Sequence, residues 1–487
     1  MKRAPVAQVL LAGSSALAQP QFVDHAADLG LALDNGVAMW GDVNDDGWPD
    51  LCNAGAVWIN RHGKAFERFD APATGFLVDI DNDADADLVC FAPVAVYRNI
   101  APSPGAPPVF EPVPLPELPE TSSRGAAVGD YNNDGFLDVY IGGYEVWEPQ
   151  VTYPDLLLMS DKGERFTLAM TFDRFRARGV TACDFDEDGD LDIYVSNYRL
   201  QPNVLWVNDG SGGLTDRAGE RNVRATSEGF EGGHSIGACF ADFDNDGHLD
   251  LFAGNFAHVD SRGDQPKSRF LRNLGPDAGW KFDDLHECGV WYQESYASPG
   301  AGDFDNDGDV DLFFTTVYAD ASFGRKNYPV LYRNDGAHGA GWAFADATEG
   351  SGLGELPPTY QASWADFDAD GDLDLVTAGR LFVNQGTPGS HWLGVRLVND
   401  KPGAGGRDAV GAQVRVRTGD LRVLTRQVEF GTGEGNSNSP VLHFGLGTHA
   451  DPVAIEIRWP DGLRVDLPRA GVDQILVLRA AQDSPTE

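Results

Sequence analysis

Short apolar runs that alternate with aspartate-rich turns dominate the chain. The runs DVYIGG, DIYVSN, DLFAGN, DLFFTT and DLVTAG each begin with an aspartate and continue with apolar and small residues. Similar runs precede the acidic turns, as in Val37–Gly41 and Gly179–Cys183. Short runs of this kind between turn residues are typical of β-strands rather than helices. The pattern therefore predicts an all-β protein in which acidic turns join the strands of hairpins.

The acidic turn recurs seven times in one register. It reads D-x-[DN]-x-D-[GA]-x-x-D followed by Leu, Val or Ile, and the copies begin at Asp42, Asp79, Asp130, Asp184, Asp242, Asp303 and Asp366. Each unit continues with a third strand, as in VWINRHG, VLYRNDG and LFVNQG, and with a fourth short segment. Four strands in each of seven units predict a seven-bladed β-propeller with one such loop in every blade.

The two ends of the repeat region complement each other. The seventh unit stops near Gly386 without a fourth strand, whereas Phe22–Leu31 resembles the fourth segments of the other units. We therefore predict that Phe22–Leu31 supplies the outer strand of the last blade, and that deleting residues 19–32 abolishes cooperative folding. The residue before each loop is small in six units, with Val78 as the exception, as crowding near a central axis requires.

The spacing of the loop suits a bound calcium ion. Calcium takes six to eight oxygen ligands, and side chains at positions 1, 3, 5 and 9 with the backbone carbonyl of position 7 can converge on one point. Without a cation, carboxylates at this range would repel one another strongly. An EF-hand needs flanking helices and a glutamate at position 12, whereas β-type runs flank these loops on both sides. We expect up to seven structural calcium ions, and magnesium fits less well because it prefers strict octahedra with several waters.

The candidate metal ligands occupy positions 1, 3, 5, 7 and 9 of the seven loops. In chain order they are Asp42, Asn44, Asp46, Trp48, Asp50, Asp79, Asp81, Asp83, Asp85, Asp87, Asp130, Asn132, Asp134, Phe136, Asp138, Asp184, Asp186, Asp188, Asp190, Asp192, Asp242, Asp244, Asp246, His248, Asp250, Asp303, Asp305, Asp307, Asp309, Asp311, Asp366, Asp368, Asp370, Asp372 and Asp374. Asn44 and Asn132 keep an oxygen at position 3 but lose its charge. Ala84 replaces the glycine at position 6, so we expect the second site to be the weakest.

Net charge narrows the range of partners. The chain has 487 residues, a formal charge of −39 and 42% hydrophobic residues, which indicates a globular protein with a strongly acidic surface. The net charge argues against nucleic acid and anionic membranes as partners, because they carry the same sign of charge. No stretch after the N-terminus approaches the ~20 apolar residues of a membrane span, so we expect no membrane insertion. As a separate expectation, the protein is a monomer.

The first 18 residues have the pattern of a secretory signal peptide. Lys2 and Arg3 precede an apolar stretch from Val6 to Leu11, and Ala16 and Ala18 frame a small-x-small cleavage site. This predicts a secreted or periplasmic protein. The five cysteines form no C-x-x-C pair; we expect small buried side chains and no zinc site, with a Cys52–Cys90 bridge as the alternative.

Residues 390–478 read as a separate β-domain. Apolar and polar residues alternate at Leu393–Leu397, Ala412–Arg417, Arg422–Phe430, Val441–Phe444, Ala454–Trp459 and Asp473–Leu478. Arginine is denser and aspartate rarer in this part than in the repeats. The expected organisation is a signal peptide at 1–18, the propeller at 19–388, a small β-sandwich-like domain at 389–480 and a tail at 481–487.

The seven units resemble FG-GAP/VCBS repeats, as in the integrin α-subunit propeller, on the strength of loops such as DFDNDGHLD. The segments HWLGVRLVND, GRDAVGAQVRVRTG, LHFGLG and IRWPDG resemble the ASPIC/UnbV domain. The combination is similar to the cartilage acidic protein family and its bacterial members, which implies a calcium-binding propeller. One departure is visible: such proteins usually carry a Gly-x-Gly-Tyr-x-Ser-Gln-like stretch where this chain reads GTGEGNSNSP, at residues 431–440.

A ligand is expected on the propeller face opposite the calcium loops, because the connections there are long and binding sites concentrate in loops on rigid scaffolds. The candidate ligand-binding residues precede the inner strands and should ring an open central funnel: Arg124, Arg178, His234, Tyr296 and Tyr360. No nucleophile–base motif or phosphate-binding loop is present, so we assign no catalytic residue. We favour a binding or adhesion protein for a protein or carbohydrate ligand; the alternative is a lyase or isomerase acting on a sugar or secondary metabolite in the funnel, which His234→Ala would inactivate without changing its melting temperature.

Overall fold

A computed structural model of the chain describes residues 20–227, 229–260, 263–338, 341–399, 408–419 and 422–480. The signal peptide predicted at 1–18 and the tail predicted at 481–487 lie outside these residues. The described part is almost entirely β-structure, which confirms the all-β fold class. Its helices are one short α-helix, α1 at Ala218–Arg221, and two 3-10 turns at Pro276–Ala278 and Ser322–Gly324.

The strands before the middle of the chain form the first four sheets, which we number as blades in chain order. They are β1 Phe22–Asp24; in blade 1, β2 Met39–Gly41, β3 Asp50–Asn53, β4 Ala56–Asn60 and β5 Phe66–Asp70; in blade 2, β6 Phe76–Val78, β7 Asp87–Phe91, β8 Val94–Asn99 and β9 Phe110–Pro112; in blade 3, β10 Ser123–Gly129, β11 Asp138–Gly143, a small hairpin of β12 Glu145–Val146 and β13 Val151–Thr152, then β14 Asp155–Asp161 and β15 Arg165–Phe172; in blade 4, β16 Ala177–Cys183, β17 Asp192–Asn197, β18 Val204–Val207 and β19 Thr215–Asp216.

The remaining strands complete three more blades and a C-terminal module. They are, in blade 5, β20 Ser235–Ala241, β21 Asp250–Asn255, a small hairpin of β22 Val259–Asp260 and β23 Gly263–Asp264, then β24 Arg269–Asn273 and β25 Phe282–Asp284; in blade 6, β26 Tyr296–Gly302, β27 Asp311–Thr316, β28 Val330–His338 and β29 Gly341–Asp346; in blade 7, β30 Ser363–Ala365, β31 Asp374–Thr377 and β32 Arg380–Asn384; in the module, β33 His391–Val398, β34 Gln413–Arg417, β35 Val423–Gln427, β36 Leu442–Gly447, β37 Val453–Arg458, β38 Arg464–Ala470 and β39 Ile475–Arg479.

Each of the seven blades in the described part is a four-stranded antiparallel sheet. The fourth strand of blade 7 is β1, which pairs with β32 from Phe22 opposite Asn384 to Asp24 opposite Phe382. The N-terminal segment thus contributes three strand residues rather than the whole of Phe22–Leu31. Inner strands of most successive blades contact each other, β10 of blade 3 contacts the second strand β7 of blade 2, and β30 of blade 7 contacts β2 of blade 1. This order of contacts agrees with four-stranded blades arranged around an axis.

Close approach between inner strands explains the small residues before the loops. A Cβ atom added to Gly41 would lie 2.6 Å from Leu77 of blade 2, and one added to Gly129 would lie 2.7 Å from Leu191 of blade 4. Both distances are shorter than real Cβ contacts, so a larger residue would push neighbouring blades apart.

The C-terminal module consists of two sheets. One has the order β36-β33-β39, in which β33 and β39 run parallel, and the other has the order β35-β34-β37-β38. The strand β38 was not predicted from the sequence; its alternation of polar and apolar residues is short and stops at Pro468, which strand interiors disfavour. Side chains of the module, including Val395, Val414 and Phe444, belong to the same apolar cluster as those of blades 1 to 4. The module and the blades therefore share a continuous core.

The cysteines are free thiols, and four of them are buried. Cys52 and Cys90 are not bonded, so the alternative of a bridge between them is wrong in this structure; burial raises the pKa of the Cys52 thiol to about 12. Among the described helices, no segment has the length and apolar character needed to cross a membrane.

Candidate metal centres and ligand surface

The acidic loops fold alike, each between the first and second strand of a blade. In five loops, three carboxylates each offer an oxygen within 4.8 Å of the others. These clusters are Asp79, Asp81 and Asp87; Asp184, Asp186 and Asp192; Asp242, Asp244 and Asp246; Asp303, Asp305 and Asp311; and Asp366, Asp368 and Asp374. Loops 1 and 3 carry Asn44 and Asn132 at position 3, and their amides donate to the carboxylates of Asp46 and Asp134 at 3.1 and 3.0 Å.

Several carboxylate oxygens of these loops are buried without a hydrogen-bond partner in the described part of the chain. At position 3 they are Oδ1 of Asp81, Asp186, Asp305 and Asp368. A buried charged oxygen without a partner is costly, and a cation at the centre of the loop would supply one. In these five clusters the converging donors are carboxylate oxygens, which are among the ligands that calcium prefers. The residues present therefore fit a calcium ion.

The pKa values of several loop aspartates are raised, so their ionised forms are disfavoured when no cation is bound. Burial and the neighbouring Asp244 and Asp246 raise the pKa of Asp242 to about 8, although Arg426 opposes the shift. Burial, Asp370 and Asp368 raise the pKa of Asp366 to about 8 as well. Like charges and burial both disfavour the ionised carboxylate, whereas a bound divalent cation favours it.

The aspartate at position 9 has a second role. In blade 6, Oδ2 of Asp311 accepts from the backbone N–H of Phe304 at 2.9 Å, and Oδ1 accepts from that of Asn334 at 2.7 Å. Equivalent bonds form at Asp50, Asp87, Asp138, Asp250 and Asp374. This carboxylate ties the loop to the end of the third strand, so it organises the blade whether or not it also binds metal.

The second loop keeps its shape despite Ala84. Position 6 has a φ of 81° at Ala84 and of 90° to 99° at the glycines of the other loops. An alanine in this region costs about 1 kcal/mol or more. Nevertheless, the carboxylates of Asp79, Asp81 and Asp87 still converge there. That the second site is the weakest stays a prediction.

Six asparagines at the ends of third strands were missed as a functional set. The amide of Asn334 donates to the carbonyl of Phe243, in the loop of blade 5, at 2.9 Å and to that of Val310 in its own loop at 3.0 Å. The same pair of bonds, one to the preceding blade and one within the blade, is made by Asn60, Asn99, Asn208, Asn273 and Asn384. Their signal was the asparagine that recurs in VWIN, VYRN, LWVN, FLRN, LYRN and LFVN.

The C-terminal module lies against the loop face of the blades. Arg396 forms an ion pair with Asp42 of loop 1 at 2.7 Å, and the backbone N–H groups of Thr425 and Gly445 donate to Oδ2 of Asp242 and Asp303, both at 3.1 Å. The arginines of this domain, which stood out in the sequence, thus balance part of the acidic charge of the loops.

The stretch 428–441, which we call the axial segment, extends from the module into the centre of the ring. Its backbone bonds to inner strands: Val128 N–H donates to the carbonyl of Phe430, Gly433 N–H to that of Ala238, and Trp40 N–H to that of Ser437. Other bonds reach Ser298 of blade 6 and Trp364 of blade 7. The unusual GTGEGNSNSP sequence therefore fills the channel and pairs with strand edges that would otherwise lack partners.

An open funnel lined by Arg178 was predicted, and the structure corrects this. Glu434 of the axial segment pairs with Arg178, with Nε at 2.9 Å from Oε1, and the side chains are 8% and 3% exposed. The guanidinium also lies 5.1 to 5.3 Å from the ring centres of Tyr144, Tyr198 and Tyr360. The axial segment thus closes the bottom of the funnel, and its Glu434 already neutralises Arg178. The position of this carboxylate could not be predicted from sequence patterns.

The other predicted ligand-binding residues separate into two groups. Tyr296 and His234 are buried: Tyr296 stacks on Phe314 and hydrogen-bonds the hydroxyl of Tyr332, so it is a core residue. Arg124 is exposed, and Tyr360 is half-buried beside Arg178. Only the second group can meet a ligand without rearrangement.

Aromatic side chains concentrate on the face opposite the loops. Among the side chains that the structure describes, the exposed aromatic residues are Trp147, Tyr318, Phe323 and Tyr328, all in connections between the second and third strands of blades 3 and 6. Arg199 lies 4.3 Å above the Trp147 ring. Together with Tyr144, Tyr198 and Tyr360 around Arg178, they form what we call the aromatic face.

Comparisons with known proteins agree with this architecture. Residues 79–141, 176–253 and 303–377 match the FG-GAP-like repeat family, and residues 403–485 match the ASPIC and UnbV family. Over 367 residues the chain is 27% identical to cartilage acidic protein 1 of Mus musculus and of Homo sapiens, covering 71% of this chain. The chain spans about half the length of these relatives, 52% and 51%.

Two solved structures are similar in part. An Agrocybe aegerita lectin that recognises non-reducing terminal N-acetylglucosamine aligns with 66% of this chain and 82% of its own, at 16% identity and a TM-score of 0.40. The Vibrio cholerae biofilm matrix protein Bap1 aligns with 92% of this chain and 62% of its own, at 11% identity and a TM-score of 0.27. Both similarities are too low to indicate a ligand.

Proposed function

From the combination of FG-GAP-like repeats with an ASPIC and UnbV domain, and from homology to cartilage acidic protein 1, we propose that this chain is an exported calcium-binding protein. We further propose that its aromatic face binds a protein or carbohydrate ligand. The calcium ions are structural: they hold the loops in place and so stabilise the blades that carry the binding surface. Export agrees with this role, because extracellular calcium is far more plentiful than cytosolic calcium.

The observation that carries the calcium part is the convergence of carboxylates in five loops, with buried oxygens that lack partners. A cation in each loop would be bound by the folded chain alone, because the unfolded chain does not assemble the site. Calcium therefore stabilises the fold by mass action, about 2.7 kcal/mol per site at a hundredfold excess over its dissociation constant.

The ligand part is supported by the concentration of exposed aromatic rings on one face. Aromatic rings beside arginines bind the faces of sugar rings and the apolar anchors of protein partners. The loop face is less suited to a ligand, because the C-terminal module covers much of it. The alternative of a lyase or isomerase that uses Arg178 and His234 receives less support, because both side chains are buried.

The calcium part is tested by thermal unfolding of the full chain with excess calcium and with a chelator, together with counting of bound metal by mass spectrometry. We expect a large fall in the melting temperature on chelation and up to seven ions per chain. If chelation shifts nothing and few ions are bound, the loops are solvated acidic turns and the proposal fails.

The ligand part is tested in calcium on a glycan array and on extracellular protein fractions. Trp147→Ala and Tyr318→Ala should weaken any binding that is found, whereas Val477→Ala, an exposed apolar residue of the module that is 48% accessible, should not. Binding that survives both aromatic substitutions would place the ligand elsewhere.

A further inference from the structure

Position 4 of every acidic loop has an unusual backbone conformation. The φ values at Asp45, Asn82, Asn133, Glu187, Asn245, Asn306 and Ala369 lie between 52° and 62°. This left-handed region is uncommon for residues other than glycine, and asparagine is enriched there. Position 4 stands between the candidate ligands at positions 3 and 5, but its side chain takes no part in the carboxylate clusters.

Side chains at position 4 bond to the loop of the next blade. Asn133 Nδ2 donates to Asp190 Oδ1 at 2.6 Å, and Asn306 Nδ2 donates to Asp372 Oδ1 at 2.7 Å. In both pairs the acceptor is the side chain of position 7. The same relation joins loops 5 and 6, where Asn245 donates to Asp309.

The residue at position 4 of one loop is chemically complementary to the residue at position 7 of the next loop wherever such a contact forms. In loops 4, 6 and 7, position 7 is an aspartate and position 4 of the preceding loop is an asparagine that can donate to it; Asp85 of loop 2, preceded by Asp45, is the exception. Where position 7 is His248, position 4 of the preceding loop is Glu187, whose Oε1 lies 2.7 Å from Nδ1 of the histidine. Where position 7 is Phe136, Asn82 donates instead to the backbone carbonyl of Gly135 at 2.8 Å. We call these five contacts the interloop links.

Each link continues into the site of the next loop. In all seven loops the backbone N–H of position 7 donates to Oδ1 of the aspartate at position 5, at distances of 2.9 to 3.1 Å. A side chain that holds position 7 therefore also holds the peptide that orients a candidate ligand. Ordering of one loop by a cation would be transmitted in this way to the neighbouring site.

We propose that the interloop links couple neighbouring calcium sites, so that calcium binds cooperatively from loop 2 to loop 7, with Asn82, Asn133, Glu187, Asn245 and Asn306 as positioning residues. The inference rests on the proposed function. A cation in one loop fixes positions 3 and 5, and the residue between them then presents its side chain to the next loop in the bonding geometry. Because coupling is reciprocal, occupation of the next loop favours occupation of the first equally.

The first loop is joined differently. Ala369 at position 4 of loop 7 has no side-chain donor for Trp48 at position 7 of loop 1. The same register places Asp45 of loop 1, an acid rather than an asparagine, opposite Asp85 of loop 2. The proposed coupling is therefore limited to loops 2 to 7.

The test removes links without changing formal charge; because Asn306→Gly also removes a contact of Oδ1 with Nε2 of His443, at 2.7 Å, Asn245→Gly is measured alone as well. Asn245→Gly and Asn306→Gly delete the amides, and glycine adopts a positive φ readily. Ala369→Gly is the matched control, because it makes the same backbone change at position 4 where no link exists. Calcium is titrated into each chelated full-length protein, and the distribution of bound ions is followed by native mass spectrometry and the overall affinity by calorimetry.

For the unsubstituted protein we expect few species with intermediate numbers of ions. With the two links deleted together, we expect those species to become populated, and the calcium concentration at half-saturation to rise about two- to tenfold for each hydrogen bond lost. Ala369→Gly should behave like the unsubstituted protein. As a readout of stability, the link variants should lower the melting temperature more with calcium than with chelator.

The outcomes separate the two proposals. If the unsubstituted protein binds calcium but populates every intermediate as independent sites would, or if the link variants match Ala369→Gly, the coupling is refuted and structural calcium stands. If the unsubstituted protein binds no calcium, the proposed function itself fails. Should the double variant not fold in excess calcium, Asn133→Gly removes a link at a different junction and gives the same comparison.

Discussion

Disrupting the ion pair between Arg178 and Glu434 tests most directly whether this pair keeps the axial segment in the channel. Burial works against charge on both partners, yet the Glu434 carboxylate raises the pKa of Arg178, so the guanidinium stays charged. The two side chains are 8% and 3% exposed. Glu434→Gln keeps the size of the side chain and removes its charge, which leaves a buried guanidinium among three tyrosine rings without a counterion.

The expected loss in the free energy of unfolding follows from the burial of both side chains. Breaking a buried ion pair by removing one partner costs about 3–5 kcal/mol, because the remaining charge is uncompensated. An exposed pair gives the scale for comparison: Arg61 and Glu67 are 37% and 57% exposed, and such pairs contribute less than about 1 kcal/mol. Glu67→Gln is therefore the matched control.

Urea unfolding in excess calcium, followed by tryptophan fluorescence, measures both variants. We expect Glu434→Gln to lower the free energy of unfolding by several kcal/mol and Glu67→Gln to leave it nearly unchanged. Replacing both partners, with Arg178→Met and Glu434→Gln, should recover most of the loss, because no isolated charge remains. A loss below about 1 kcal/mol for Glu434→Gln alone would refute the view that this pair holds the segment in the channel.

Three further outcomes follow from the geometry. In chelator, the melting temperature should fall as pH rises from about 5 to 8, because loop carboxylates such as Asp242 have pKa values in the folded chain, about 8, above that of an unfolded aspartate. The stabilisation by the protonated carboxyls is complete below the pKa of the unfolded chain and is lost as the pH rises through the pKa of the folded chain. Calcium should flatten this dependence of the melting temperature on pH. A metal-free protein that is more stable at pH 8 than at pH 5 would contradict the prediction. Asn334→Ala should cost about 2–3 kcal/mol in urea unfolding, since it strips buried carbonyls in two blades of a donor, and a cost below 0.5 would argue against the bridging role. Gly431→Ala should destabilise the chain more than Gly462→Ala, because both have positive φ but only the Cβ at 431 would meet a backbone oxygen, at 2.3 Å; equal melting temperatures would remove the argument from the channel.

Local sequence patterns were sufficient to predict the strands and acidic loops of the blades. The register of the acidic loop places an aspartate at the start of each second strand, and the apolar run that follows can only be a strand flanked by neighbours. The outer strand Phe22–Asp24 was also accessible, since the seventh unit visibly lacked a fourth segment. These features depend on residues close together in the sequence, or on a count of repeated segments.

Long-range contacts explain what the sequence could not indicate. Glu434 meets Arg178 across 256 positions, and nothing near either residue identifies the partner. The stretch 431–440 was noticed only as a departure from a resemblance, although its three glycines have positive φ and the Cβ positions of two of them are blocked by the backbone of inner strands or Phe91. The asparagines of the third strands were visible as a repeat, but one of the two acceptors of each lies in the preceding blade. Such pairings are set by how the blades pack.

The position of the module bears on what the calcium ions do. Position 1 of loops 1, 5 and 6 is engaged by Arg396, Thr425 and Gly445, so the module lies directly over these sites. A ligand that reached the ions from this face would have to displace a domain that shares its core with the blades and that fills their channel with the axial segment. An ion bound in these three loops would therefore lie beneath the module, where it would order the loops and balance their charge. Under the proposed function, calcium would then support ligand binding indirectly, through the stability of the blades whose opposite ends form the aromatic face.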